Sequence, residues 1–369
     1  MKKILFMLKH LSLGGAEKMF LRLLNYIDLE QYEVHIKLVF GDQIQSMLQH
    51  SNIKVSSIFA VKNDETKKLI KLCPEKIYVD NVFEKYDIEI AFLEGYPTRI
   101  ISASSNSSSI KVAFIHTDFR FFHHSLNAFE NCECEMSCYQ KFTKLFFVSK
   151  AARDGFHSTY PLLSPKYEYI FYPPLSDRMI SFDEKYEKIP EEPYFITLTR
   201  LAPEKGLFKL IDAVKKVKDS GLKIKIKIFG IGPLYNAIIQ KIRQENLDEC
   251  IFLMGYCSTP YCELKNSMGY ICPSDNESFG ISIEESLFLE VPIIACRCPG
   301  TEEILHNGDF GLLVSNSAEG LFGGISEFIE NTTLRSILKQ KAIKGKDYWK
   351  IKLLSPSNFE KLCLPDTNI

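Results

Sequence analysis

Three of the four glutamates in the stretch SDNESFGISIEESLFLEVPIIA, residues 274–295, namely Glu277, Glu284 and Glu285, gather around its start. The stretch reads as the start of a packed helix followed by a buried strand. Acids suit a helix start, and Ser282-x-x-Glu285 fits a capping box with Glu284 left on the surface. That reading leaves Glu277 idle in a loop. Carboxylates also accept hydrogen bonds from hydroxyls, so a sugar would occupy Glu277 as well. A second group lies in TRLAPEKG, residues 199–206. A strand ends at Arg200, Pro203 suits a helix start, and Lys205 falls near the first turn. Two cations beside a helix N-terminus suit a diphosphate. The alternative is a solvated Lys205 and an Arg200 paired with a carboxylate.

Two weaker groups come earlier in the chain. Leu13-Gly14-Gly15-Ala16-Glu17 lies between the first strand and the first helix. Paired glycines let backbone N–H groups approach an anion, or else form a plain tight turn. The G-x-G-x-x-G spacing of a dinucleotide site is absent. His116-Thr117-Asp118 follows the strand KVAFI, where a histidine either faces a ligand or is satisfied by its surroundings. One acid on a hexose, another on a ribose, and Arg200 with Lys205 on the phosphates would give the four strongest candidates one common purpose.

Strands alternating with helices must position these groups. Ile4–Leu8, YEVHIKLVF, IEIAFL, KVAFI, KLFFV and YEYIFY read as strands, and Ala16, Met19, Phe20, Leu23 and Leu24 mark one helix face. Such alternation gives a parallel sheet covered on both sides. From Pro173 to Pro193 prolines and charges carry no period, so a linker is expected there. The alternation restarts with YFITLT, LFKLIDAVKKVKDS, KIKIKIF, IIQKIRQENL, IFLM, GYICPS, ISIEESLFL and VPIIAC. The expected architecture is α/β, with two doubly wound parallel-sheet domains at 1–180 and 181–345 and a C-terminal segment at 346–369. A length of 369 residues accommodates two such domains. Ligands in these sheets bind at the carboxyl ends of strands.

Composition narrows the classes. With 46% hydrophobic and 25% charged residues and a net charge of −1, the chain is neither disordered nor suited to nucleic acid. The N-terminal apolar run ILFML is too short for a signal-peptide core. No run approaches the roughly 18 apolar residues of a spanning helix. The expected location is the cytosol, with peripheral contact to the inner face of the cytoplasmic membrane left open. Among eleven cysteines, Cys132, Cys134 and Cys138 cluster without the paired CxxC spacing of a zinc site. No metal is expected.

The run ESFGISIEES resembles the Glu-x7-Glu signature of the retaining glycosyltransferases of family 4, which have the GT-B fold. TRLAPEKG is similar to that family's arginine–lysine diphosphate motif. IAFLEG, IFGIGPL, FLMGY, and CPGTEEIL followed by GLLV add matches in the family's order over nearly the whole chain. The resemblance implies two Rossmann-like domains facing a cleft, with YWKIKLL crossing back towards the first. It places Glu277 on the donor sugar and Glu285 on the ribose, with Ser278, Phe279, Gly280 and Ile281 along the donor. Arg200 and Lys205 would hold the diphosphate, the Gly14 and Gly15 backbone would approach it, and His116 would stand near the reaction centre. Glu277, His116, Arg200 and Lys205 are thus the catalytic candidates. Family members work without a divalent metal, and this chain has no D-x-D triplet. Three departures stand out: Glu284 at a usually apolar or small place, Tyr172-Pro173-Pro174 for an asparagine–proline step, and Ile231 at a position often acidic.

The implied activity is retaining transfer of a hexosyl unit from a nucleoside diphosphate sugar, UDP-linked by expectation, without a cofactor. The acceptor would be a glycan or lipid-linked hydroxyl in bacterial surface polysaccharide synthesis, such as capsule or lipopolysaccharide. The rivals are a non-catalytic partner of another transferase and a same-fold epimerase or hydrolase.

Overall fold

The computed structural model describes residues 1–11, 14–41, 53–165, 167–176, 180 and 192–353. Leu13, the centre of the linker (181–191) and residues 354–369 lie outside the described residues. The chain divides into two compact units, the first from Met1 to Pro174 and the second from Leu175 to Leu354.

The first unit runs β1 (Lys2–Leu8), α1 (Gly15–Leu24), β2 (Tyr32–Phe40), β3 (Ile53–Phe59), α2 (Asp64–Leu72), α3 (Pro74–Asn81), β4 (Ile88–Ala91), α4 (Tyr96–Ile101), β5 (Ile110–Ile115), α5 (Cys132–Tyr139), β6 (Lys144–Phe147), α6 (Lys150–Thr159) and β7 (Tyr167–Ile170). Its strands pair in parallel in the order β3-β2-β1-β4-β5-β6-β7. Every residue of β4 and β6 is buried, as both faces of a parallel sheet are covered. On α1, Met19, Phe20, Leu23 and Leu24 are buried at helical spacing, whereas Ala16 is only half-buried. A ladder of rings crosses this core from Phe20 through Phe92 and Phe114 to Phe146, at centroid spacings of 5.1, 4.8 and 5.2 Å. His116 rests on it, 5.1 Å from Phe92.

One core position breaks the apolar pattern. Glu89 in β4 is fully buried and accepts a 2.7 Å hydrogen bond from the Tyr78 hydroxyl. Burial raises its carboxyl pKa, against the hydrogen bonds that favour the anion. A folded-state pKa above the unfolded one contributes stability below the unfolded value and loses it as pH rises through the folded value. Glu89→Gln keeps the acceptor for Tyr78 and removes the titration. At pH 7 the variant should be more stable than the parent by about 1 kcal/mol, with a gap that widens between pH 5 and pH 8. Thermal unfolding at both pH values checks this, and a gap that shrinks with rising pH would refute it.

The second unit runs β8 (Phe195–Leu198), α7 (Leu207–Asp219), β9 (Ile226–Phe229), α8 (Tyr235–Gln244), β10 (Ile251–Gly255), α9 (Tyr261–Lys265), β11 (Gly269–Cys272), α10 (Ile281–Phe288), β12 (Ile293–Cys296), α11 (Pro299–Ile304), β13 (Leu312–Val314), α12 (Ala318–Glu330) and α13 (Thr332–Leu353). Its parallel sheet has the order β10-β9-β8-β11-β12-β13. The buried stripe Leu207, Leu210, Ile211, Val214 and Val217 of α7 packs with Ile226 and Ile228 of β9 in one core. Residues 346–353 continue α13 in this unit. There the Trp349 indole donates to the Ile304 carbonyl at 2.9 Å and meets the Phe279 ring edge-on at 5.4 Å.

Strand order decides where ligands go. In both sheets the order reverses beside the first strand, between β1 and β4 and again between β8 and β11. The crevice outside the carboxyl ends of such strands is the usual binding place of a doubly wound sheet. In the second unit the segments leaving β8 and β11 are those of Arg200, Lys205 and Glu277.

Candidate functional site

After β8 the chain folds back through bonds from the Thr199 amide to the Phe229 carbonyl (2.9 Å) and from Leu201 to Ile231 (3.0 Å). A short 3-10 turn, Pro203–Lys205, then leads through Gly206 into α7. This throws Lys205 inward, not into the solvent. Its side chain is 15% exposed, and Nζ lies 2.7 Å from Glu277 Oε1. Burial alone would depress the ammonium's pKa, but the Glu277 charge and hydrogen bond outweigh it and leave the value raised. The Ser274 hydroxyl donates to the same Oε1 at 2.7 Å. Among the described residues Oε2 of Glu277 makes no hydrogen bond, so it is available to a hydroxyl donor. Arg200 behaves differently. Its side chain is 62% exposed and donates to Glu204 Oε1 at 2.6 Å.

The Glu277 loop is anchored on several sides. The Asp275 amide donates to the Glu204 carbonyl (2.9 Å), and Lys209 Nζ pairs with the Asp275 carboxylate (2.6 Å). Gly300 in α11 packs so closely on the Glu277 carbonyl that a Cβ there would clash with it. The motif CPGTEEIL therefore serves the site by letting α11 approach this backbone.

The capping alternative fails. The residue before α10 is Gly280 at φ 95°, with no side-chain cap, and a positive φ favours glycine there. Ser282 lies inside the helix, and its hydroxyl donates to the Leu198 carbonyl at 3.0 Å, tying α10 to β8. Glu285 does not reach back to the helix start. It is buried and accepts from the Tyr261 hydroxyl at 3.1 Å. Glu284 is fully buried, not on the surface. Phe279 is also buried, against Trp349, so its ring anchors the loop instead of lining open space. Ser278 and Ile281 are half-buried at the helix start.

In the first unit Gly14 precedes α1 without a side-chain cap. The Glu17 carboxylate folds over Gly14, leaving no room for a Cβ, and lies 3.3 Å from His10. Gly15 is the first residue of the helix and is exposed. Glu94, at the end of β4, accepts from the His116 amide (3.0 Å) and the Thr117 hydroxyl (2.7 Å), which fixes the turn after β5. The His116 ring is buried, and burial lowers its pKa against the pull of Glu94 and a hydrogen bond with the Phe92 backbone. The imidazole is neutral at neutral pH, and its Nε2 is buried with no hydrogen-bond partner among the described residues. Asp118 faces away from this role, bonded to the Arg120 guanidinium at 2.8 Å.

Sequence reasoning missed Ser274, Tyr261 and Lys209. Ser274 stands three residues before Glu277 and could have been noticed. Tyr261 and Lys209 meet their partners only through the fold. On α5, Cys132 is exposed, Cys134 half-buried and Cys138 buried beside Arg99. Among the described residues the group that converges as metal ligands do is not these cysteines but Glu33, His35 and Glu84, and Lys3 and Lys54 already pair with its carboxylates. No described helix is long and apolar enough to cross a membrane.

Two Rossmann-like parallel sheets in series define the GT-B fold, the architecture of many sugar-transferring enzymes. The Anabaena protein HepE in complex with UDP and glucose has this fold, superposing with a TM-score of 0.75 at 17% identity over 96% of this chain and all of that one. Residues 180–345 match the family model described as glycosyl transferases group 1. A Campylobacter jejuni relative is 23% identical over 96% of this chain and 97% of its own length. It is named N-acetylgalactosamine-N,N'-diacetylbacillosaminyl-diphospho-undecaprenol 4-alpha-N-acetylgalactosaminyltransferase. A putative colanic acid biosynthesis glycosyltransferase of Salmonella typhimurium is 28% identical over 43% of this chain. That match spans 42% of the Salmonella protein, so the chain covers under half the length of this relative.

Proposed function

We propose that the chain is a retaining glycosyltransferase of family 4 that moves a hexosyl unit from a UDP-sugar to a hydroxyl of a lipid-linked glycan. The observation that carries this reading is Glu277 at the switch point of the second sheet. One of its oxygens is held by Lys205 and Ser274, and the other is available to a sugar hydroxyl. Lys205 and the exposed Arg200 are the cations for the diphosphate, and Glu285, fixed by Tyr261, takes the ribose. Ser278, Gly280 and Ile281 run along the donor. In the first unit, taken by itself, the candidates are the Gly14–Gly15 backbone and the buried Nε2 of His116.

In this mechanism the bond from the anomeric carbon to the β-phosphate oxygen breaks, and the acceptor oxygen bonds to the same face of that carbon. The acceptor's proton passes to the leaving phosphate oxygen, giving UDP and a glycoside of unchanged anomeric configuration. The side chains position the reactants and stabilise the charge that develops on the diphosphate. The complex of HepE with UDP and glucose supports a UDP-linked donor. The name of the Campylobacter relative supports a diphosphate-linked polyprenol acceptor, and colanic acid biosynthesis in the name of the Salmonella relative supports a role in surface polysaccharide synthesis. Such an acceptor would bring the enzyme to the inner face of the cytoplasmic membrane as a peripheral protein.

Purified protein incubated with a panel of UDP-sugars and a polyprenyl-diphosphate glycan should release UDP faster with acceptor than without. NMR of the product should show the donor's anomeric configuration. An inverted product would remove the retaining mechanism, and UDP release indifferent to acceptor would indicate a hydrolase. Because Arg200 and Lys205 take the part of a divalent ion, activity should persist in EDTA. Loss in EDTA with recovery on adding manganese would overturn that assignment. Arg200→Ala should weaken UDP binding by about 1.5–3 kcal/mol, the scale of a charge-assisted hydrogen bond. Calorimetry with unchanged UDP affinity would take Arg200 out of the site.

A further inference from the structure

The carboxyl end of the first sheet holds a pair of cations that the donor reading leaves unused. Lys9 follows the end of β1, and Lys62 lies beyond the end of β3, just before α2. The Phe40 amide donates to the Lys9 carbonyl (3.0 Å) and the Gly41 amide to the Phe59 carbonyl (2.6 Å), so the carboxyl ends of β1, β2 and β3 lie side by side. The two ammonium groups are neighbours there, Lys9 half-buried and Lys62 exposed.

Neither ammonium makes a hydrogen bond or ion pair with an anion among the described residues. Glu94 and Glu17 are near enough to act on Lys9 without bonding to it. Glu94 uses its two oxygens on the His116–Thr117 turn, and Glu17 lies over Gly14 beside His10. Burial, and then the Lys62 charge, lower the Lys9 pKa from its ordinary range. Two like charges brought together repel, and an anion between them relieves the repulsion. A phosphoryl group bridging them would replace that repulsion by charge-assisted hydrogen bonds.

We propose that Lys9 and Lys62 form a phosphoryl-binding site on the first unit and that it takes the phosphate or diphosphate of the acceptor. The assignment to the acceptor rests on the transferase reading proposed above. A donor diphosphate has the same chemistry, but Arg200 and Lys205 already supply cations for it in the second unit.

Calorimetric titration with inorganic pyrophosphate, in saturating UDP, tests the site on the full chain. Lys62→Ala changes an exposed side chain, and Lys9→Met keeps the length of the buried stem. Each should weaken pyrophosphate binding by about tenfold or more, with UDP affinity, titrated separately, within about twofold of the parent. Absent pyrophosphate binding in the parent, or unchanged binding in both variants, would overturn the site. An equal loss of UDP affinity would move the pair to the donor and overturn the acceptor assignment. Pyrophosphate binding that depends on Lys62 in a protein that binds no UDP would uphold the site while refuting the transferase reading.

Discussion

Lys205→Met should weaken UDP-sugar binding by about 2–3 kcal/mol, or roughly 30- to 150-fold, because the mostly buried ammonium proposed to bond the diphosphate is lost. The same change leaves Glu277 with Ser274 as its hydrogen-bond donor among the described residues. The fold should lose about 1–2 kcal/mol as a result, less than full burial would imply, since Glu277 is 17% exposed. Calorimetry with UDP and thermal unfolding separate the two effects. Normal UDP affinity in a destabilised Lys205→Met protein would make the ion pair a structural strut only.

Glu277→Gln should act on turnover. Glutamine still accepts hydrogen bonds from Ser274 and Lys205, so the loop keeps its shape. What is lost is the negative charge opposite the sugar as positive charge grows at the anomeric carbon. Turnover should fall about ten- to a hundredfold, or roughly 1.4–2.7 kcal/mol of barrier. A second consequence concerns Lys205. Its folded-state pKa is raised, so the pair contributes stability below the unfolded lysine value and loses it as pH rises through the folded one. Without the Glu277 charge, burial prevails and the Lys205 pKa falls, so donor binding by the variant should fail at lower pH than in the parent. A variant with parental turnover would reduce the glutamates to ornaments of a helix start.

The strands buried on both faces stand out in the sequence, and the edge strands β7 and β10 were legible as well. β4, β5 and β6 stand out as short apolar runs. β3 and β13 were missed as strands for a physical reason. Each is an edge with a weak pattern of its own: IKVSSIF has polar, exposed positions along its length, and Leu312–Val314 is only three residues long and partly exposed. Arg200, Lys205 and Glu277 were legible because glycine and proline mark the turns that carry them. The bond between Lys205 and Glu277 was not. It joins residues far apart in sequence, and they meet because β8 and β11 are neighbours in the sheet. The capping pattern at Ser282, the alternative reading of these glutamates, fails for a similar reason. A local motif predicts a local bond, but the hydroxyl found the Leu198 carbonyl on an adjacent strand.

The most direct measurement is a crystal structure of the protein with UDP bound. The expected result places the diphosphate within hydrogen-bond distance of Lys205 Nζ and the Arg200 guanidinium, with Arg200 turned away from Glu204 and the ribose hydroxyls at Glu285. UDP bound elsewhere, with the Lys205–Glu277 and Arg200–Glu204 pairs unchanged, would contradict the donor site at the β8–β11 switch point.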